Sequence, residues 1–479
     1  MAEDVDAIVI GSGPNGLAAG ITIARAGFRV LVLEGSTTPG GGMRSRDDLT
    51  LPGFVHDLCS AIHPMAVSSP FFNDVPLKEF GLSWAHPEVV VAHPLDGGRA
   101  GYQLQDYEAA LDVFGRDADG WRSVVGLAAR RTEELFADLL GPLPLLPHHP
   151  ILLARFGVKA LMPAAWLAEH FFGTPEVRAL FGGHAAHSVL PLERWGTAAV
   201  GPMLAASGHH AGWPVASGGS GAIAAAMVGY LEALGGTVEC GRAVESLEAL
   251  PPAKAYLFDT SPMAMAGICG NRLPHRYVRR LERYRYGPGV FKLDLALDGP
   301  VPWRHPACRR AGTVHVCGTL DEIRVSEHSC WHGRLAERPF VIVAQQSVAD
   351  PNRAPSGKHT LWAYCHVPPR WDGDATEAIL AQVERFAPGF RDLILAIHKT
   401  TPADLEAHNP NYIGGDIIGG VQDLAQQFAR PVARRDPYST PAKDIYLCSS
   451  STPPGAGVHG MCGYHAAASV LRNVFGLGV

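Results

Sequence analysis

The 479-residue chain has no C-x-x-C pair, and its nine cysteines are scattered. That spacing gives no support to a disulfide scaffold, a zinc ribbon or a dithiol redox site. Nor is there an uninterrupted apolar run of about 18 residues, the length that spans a membrane. The nearest candidate, Ile151 to Ala168, is broken by Arg155, Lys159 and Pro163. Basic residues are not in excess: 40 Lys and Arg against 46 Asp and Glu leave −6, so no positive field invites nucleic acid. No leader is expected either, because Glu3 and Asp4 precede the first apolar run at Val5; a cytoplasmic location is expected. A G-x-S-x-G elbow is absent, so hydrolase chemistry has no support. What remains is 47% apolar and 18% charged, which excludes disorder and fits a globular α/β or α+β protein of about two or three domains.

The amino terminus carries the strongest signal. Val5 to Ile10 is a strand-length apolar run leading into Gly11-Ser12-Gly13-Pro14-Asn15-Gly16. Leu17 to Ala26 then reads as a small-residue helix, and Phe28 to Leu33 as a second strand closed by Glu34. This is G-x-G-x-x-G in register within a complete β-α-β unit. Gly11 permits the tight turn, Gly13 admits a pyrophosphate close to the backbone, and Gly16 lets helix pack on strand. The helix start supplies free N–H groups. Glu34 is placed to accept from a ribose diol and to disfavour a 2′-phosphate. Beyond it, Gly40-Gly41-Gly42-Met43-Arg44 brings a further glycine run and a cation. That extension resembles the one in glutathione-reductase-like and amine-oxidase-like flavoproteins, and it implies FAD. There the glycines approach the diphosphate and the arginine partly neutralises it.

At the carboxyl end, Ile445 to Cys448 reads as a strand. The turn Pro453-Pro454-Gly455-Ala456-Gly457-Val458-His459-Gly460-Met461 leads on to a helix from Cys462 to Leu471. This resembles the closing motif of the phytoene desaturase and amine oxidase superfamily, whose helix start faces the flavin edge where charge collects on reduction. Ser60 to Ala66, Ala92 to Asp96, Gly287 to Lys292, Ala311 to His315, Trp362 to Pro368 and Asn409 to Tyr412 extend the likeness along nearly the whole chain. They resemble the phytoene-dehydrogenase-like subgroup called pyridine nucleotide-disulfide oxidoreductase domain-containing protein 2 in animals.

The resemblance implies a discontinuous α/β architecture. A Rossmann-type, glutathione-reductase-like FAD domain is expected from 1–72, 215–275 and 438–479, with Val244 near the adenine. An α+β substrate domain is expected from 73–214 and 276–437. Ala222 to Leu234 reads as a helix and Thr237 to Cys240 as a strand. Gly219 to Ala224 mimics a second fingerprint but follows a poor strand containing Pro214, so no separate NAD(P) domain is expected. Leu139 to Gly173 is the most apolar stretch, read as core packing, with a tunnel mouth or peripheral membrane contact left open.

Among side chains, His459 stands at the flavin-facing turn, either as acid or base or as a local helix cap. Tyr364, His366, Asn409, Asn411 and Tyr412 fall in the substrate half as candidate cavity residues, with Asn409 to Asn411 also readable as a turn. His328, Cys330 and His332 alternate, but Glu327 to Gly333 reads as a polar loop and no metal is expected. The expected activity is desaturation of an apolar, isoprenoid- or lipid-like substrate by FAD. The acceptor is undefined, with oxygen or a quinone open. Amine oxidation, redox-neutral polyene isomerisation and a regulatory flavin-binding role stand as alternatives.

Overall fold

The computed structural model describes residues 5–142 and 147–478. Ala7–Ile10 and Val30–Leu33 are short β-branched runs buried along their whole length, as strands covered on both faces must be. They form the centre of a five-stranded parallel sheet in the order Ile445–Leu447, Ala255–Phe258, Ala7–Ile10, Val30–Leu33, Thr237–Glu239. This is a Rossmann-like sheet within a mixed α/β protein. The opening helix, Pro14–Arg25, starts three residues earlier than its apolar pattern suggests. Pro14 accounts for this, because its fixed φ suits a first helical turn and its missing N–H is not needed there.

The closing helix, Met461–Asn473, lies against the opening one. A Cβ on Gly463 would fall 1.8 Å from the Asn15 carbonyl oxygen, so only glycine permits this approach. The two ends of the chain are thereby locked together above the parallel sheet.

A second, seven-stranded mixed sheet runs in the order Ile394–Thr400, Gly289–Leu297, His359–Val367, Val341–Ala344, Ala311–Val316, Val89–Leu95, Arg99–Gln103. Its strands alternate between two cores. Val341, Val343, Leu361, Ala363 and Cys365 pack with the helix Thr376–Phe386 on one face. Ile342, Ala344, Trp362 and Tyr364 look the other way, into a different core.

Two expectations change. Glu327 to Trp331 is not a loop: it is the last part of the helix Leu320–Trp331, started by a reciprocal capping box between Thr319 and Glu322, and only His332 and Gly333 turn out of it. At helical spacing His328, Cys330 and His332 no longer share a face. His328 stacks on His332, Cys330 is buried, and Glu327 instead points inward to meet His366 Nδ1 at 2.8 Å. The Leu139–Gly173 stretch also differs from plain core packing, with Leu143 to Leu146 outside the described residues. Leu152, Phe156 and Ala160 are buried, but Ile151, Val158, Leu161 and Trp166 are exposed. The helices Pro150–Ala160 and Ala164–Phe171 meet at 91°, and among the described residues no single helix is long and apolar enough to cross a membrane.

Candidate functional site

One cavity of about 1130 Å³ runs between the two sheets. It exceeds the roughly 300–1,000 Å³ of ordinary ligand pockets, enough for a large cofactor and a substrate together. Gly11, Gly13, Pro14 and Asn15 line one end. Gly11 has φ +100°, and a Cβ there would lie 2.7 Å from the Asp259 carbonyl oxygen. Gly16 stands behind the lining, where its Cβ would fall 2.1 Å from the Gly11 carbonyl oxygen, so it serves helix–strand contact.

Glu34, at the end of its strand, lines the same end. Its Oε2 accepts from the Ser12 N–H at 3.0 Å and the Ser12 hydroxyl at 2.6 Å, and Oε1 accepts from the Ser36 N–H. Gly41, Gly42 and Arg44 complete the rim, while Gly40 and Met43 lie behind it. A Cβ on Gly41 would come 3.0 Å from Gly13 Cα, and one on Gly42 would come 2.3 Å from the Tyr412 hydroxyl. Both glycines therefore hold this second loop against its neighbours as well as facing the cavity.

Arg44 is the decisive cation. It is 8% exposed, donates to the Gly41 carbonyl and the Ser36 hydroxyl, and has no carboxylate partner among the described residues. A buried guanidinium beside open glycine backbone and a helix start fits a diphosphate. This chain's residues thus fit the group that the glycine pattern implies.

Asp259 was not anticipated from the sequence. It follows the strand Ala255–Phe258, lines the cavity, and its Oδ2 accepts from the Gly16 N–H at 2.9 Å. Although its surface is part open to the cavity, its carboxyl lies deep in the protein. Burial pushes it up to about 7, the Glu34 charge adds to this, and the N–H groups of Gly16 and Gly13 oppose it.

The closing turn supplies Ala456, Gly457, Val458 and His459 to the cavity wall, and Val244 lines it beside the Glu34 end, where the Arg242 N–H donates to the Glu34 carbonyl at 2.8 Å. His459 caps its own helix: Nδ1 accepts from the Met461 N–H at 3.0 Å. Nε2 is turned toward the Gly455 and Ala456 carbonyls without forming a hydrogen bond, and burial pushes the ring down to about 4. The helix start differs from expectation, since Gly455, Gly460 and Met461 all sit behind the lining. A Cβ on Gly460 would meet Phe71 at 2.7 Å, and one on Gly455 would meet buried Arg430 at 2.8 Å. Those two glycines serve packing.

The opposite end is apolar. Leu153, Phe156, Ala160, Met203 and Leu204 line it, with Thr313, Ile342, Trp362 and Tyr364 as its sheet floor. The Tyr364 ring stands edge-on to Trp362 at 4.8 Å, and burial pushes its phenol well up, keeping it neutral. Among the described residues the only carboxylates on the whole wall are Glu34 and Asp259, both at the glycine end. Asn409 and Asn411 form the expected turn, Asn409 Oδ1 accepting from the Asn411 N–H, and with Tyr412 they also line the cavity. His366 does not line it.

His63 lies on the wall as well. The Ser220 hydroxyl spends its proton on the Ser60 carbonyl at 2.6 Å, so it must accept from His63 Nε2 at 2.9 Å. That assignment leaves the His63 Nδ1 lone pair buried and unpartnered. The Ser60–Ala66 segment contains this residue, but nothing in its spacing discloses Ser220 as its partner.

Comparison with known proteins agrees with this geometry. The family model for an NAD(P)-binding Rossmann-like domain matches residues 9–74. Pyridine nucleotide-disulfide oxidoreductase domain-containing protein 2 of Rattus norvegicus is 24% identical over 98% of this chain and 94% of its own. Phytoene desaturase (lycopene-forming) of Pantoea ananas is 24% identical over 97% of this chain and 98% of its own. Among solved structures, putrescine oxidase bound to putrescine superposes with a TM-score of 0.61 at 17% identity, covering 98% of this chain and 99% of that one. The last likeness is one of fold.

Proposed function

We propose that this chain, whose Rossmann-type domain is that of the FAD-dependent amine oxidase and phytoene desaturase superfamily, desaturates an apolar, isoprenoid- or lipid-like substrate with FAD. The observation that carries the reading is the polarity of this cavity. Glycine backbone and Arg44 form one end, and an apolar chamber without a carboxylate forms the other. An ammonium substrate is best balanced by a carboxylate at the reacting end. With both wall carboxylates at the cofactor end, the chamber favours hydrocarbon over amine.

In this reading residues 1–72, 215–275 and 438–479 hold FAD, and 73–214 and 276–437 shape the chamber. FAD, when bound, would supply the hydride acceptor. Arg44 and the N–H groups of the glycine turn bind the diphosphate, and Glu34 takes the ribose. Trp362 and Tyr364 form a dry floor that orients the substrate. His63 is the neutral base for the proton lost from the neighbouring carbon, through the free lone pair on Nδ1. Burial holds its ring uncharged down to about pH 4. His459 does not take that role, because its Nδ1 lone pair is already committed to Met461.

The test is extraction of the purified protein followed by mass spectrometry of everything released. Non-covalent FAD together with an apolar co-purifying molecule is expected. Release of FMN, or of NAD alone, would overturn the assignment.

A further inference from the structure

The apolar chamber carries a patch of polar atoms that the protein leaves without partners. Past the end of the helix Pro175–Ala186, His187 and Ser188 line the cavity, as do Thr313 and Trp362 on the sheet floor. Ser188 and Thr313 are each 2% exposed, and neither hydroxyl makes a hydrogen bond among the described residues. The buried Trp362 indole N–H is equally unpartnered. Thr313 pairs with Ala344 and Ala344 with Trp362, so only a methyl group stands between the two across the floor. Buried polar groups are almost always hydrogen-bonded, and several exceptions on one cavity wall mark a place where a ligand completes them. The turn that holds Ser188 is itself strained, since β-branched Val189 sits at φ +55°.

His187 joins this set through a tautomer that the fold selects. Its Nε2 stands 3.0 Å from His315 Nε2, so one proton lies between the two rings. Burial pushes His187 down to about 3 and His315 well below the usual histidine range, so both rings are neutral. His315 Nδ1 is shut in beside Gly183, where a Cβ would fall 2.5 Å away, and it has no partner. A buried N–H without a partner is rarer than a buried lone pair without one. His315 therefore carries its proton on Nε2 and donates it to His187. The His187 proton is thereby placed on Nδ1, which makes no hydrogen bond among the described residues. No charge accompanies the set. Among the described residues, every charged side chain on the wall belongs to Glu34, Arg44, Arg242, Asp259 or the segment 430–435, none of it on the seven-stranded sheet or on the turn that carries Ser188.

We propose that His187, Ser188, Thr313 and Trp362 form a neutral hydrogen-bonding subsite that takes one uncharged oxygen of the substrate, a carbonyl or a hydroxyl on an otherwise apolar body. This names the substrate class within the function proposed above and rests on that reading. His187 and Trp362 donate, and the two hydroxyls turn to suit either group. A carboxylate is disfavoured, because its charge would be buried there without a cation.

The experiment is calorimetric titration of the holoprotein at neutral pH with sesquiterpenoids of one skeleton: farnesene, farnesol, farnesal and farnesoic acid. Farnesol and farnesal are expected to bind roughly tenfold or more tightly than farnesene, and farnesoic acid more weakly than farnesal. Ser188→Ala/Thr313→Val should bring the alcohol and the aldehyde down to within about twofold of farnesene, with farnesene binding unchanged. Its thermal unfolding should not fall, because the fold makes no use of either hydroxyl. Farnesene binding as tightly as farnesol and farnesal would overturn the proposal, as would no binding by any of the four, tightest binding by the acid, or a double variant that keeps the full preference. A double variant that melts well below the wild type would also overturn it, by showing that the hydroxyls serve the fold. Titration needs no turnover, so the two readings fail separately. A preference for oxygen without flavin bleaching by any apolar compound overturns the desaturase reading alone, whereas bleaching with farnesene and farnesol bound equally overturns the subsite alone.

Discussion

Arg44 shows most plainly what single residues demand of this site. A guanidinium shut away from water without a carboxylate is costly unless an anion joins it. Removing one partner of such a buried pair typically costs about 2–5 kcal/mol. Arg44→Met should therefore weaken FAD retention by roughly tenfold or more, read as cofactor fluorescence released on dialysis, with the fold intact. Asp259 acts in the opposite sense. A bound diphosphate adds negative charge beside a carboxyl that already holds its proton to about pH 7. Above that pH, FAD binding takes up a proton, so affinity falls as pH rises, by up to about tenfold per unit. Asp259→Asn should flatten this dependence, because the amide oxygen still accepts from Gly16. The same shift means that the apoprotein loses stability as pH climbs from 3.8 through about 7, since its native carboxyl keeps its proton longer than the unfolded one. His63→Gln tests the assigned base: flavin reduction by substrate should slow by roughly a hundredfold while FAD content stays unchanged.

At the scale of elements, the crossing of the opening and closing helices holds the glycine turn in place. Gly463→Val would drive a side chain into the Asn15 carbonyl and should cost about 3 kcal/mol or more in thermal unfolding. Gly267→Ala is the matching control. It lies in the helix Pro262–Cys269 with open space where its Cβ would go, and it should stabilise by about 0.5–1 kcal/mol. This scale also separates what could be read from the sequence from what could not. The β-α-β unit, the helix Gly221–Ala233 and the strand Thr237–Glu239 are local patterns of period and glycine, and the structure carries them within a few residues. The helix Leu320–Trp331 hides its pattern, because its polar outer face masks the inward set of Leu320, Ile323 and Cys330. Asp259, Ser220 opposite His63, and Glu327 opposite His366 are contacts between segments far apart in the chain. No local spacing encodes them. The closing turn falls between these cases: its strand, turn and helix were legible, but the direction of the His459 ring depended on the Met461 N–H.

Across the whole molecule, one dinucleotide-shaped turn faces the cavity. The second glycine pattern, Gly219 to Ala224, only begins a helix packed on the opening one, and none of it lines the wall. NADH and NADPH should accordingly reduce the flavin slowly and without saturation; fast saturable reduction would contradict this reading. The apolar chamber and the polar cofactor end form one continuous space, so chemistry and cofactor cannot be uncoupled by distance. The most direct measurement is anaerobic absorbance of the yellow holoprotein while the apolar molecule that co-purifies with it, or a panel of isoprenoid hydrocarbons and primary amines, is added. The account predicts that an apolar compound bleaches the flavin, that a desaturated product appears in equal amount, and that no amine does the same. Bleaching by an amine and by none of the hydrocarbons would contradict it.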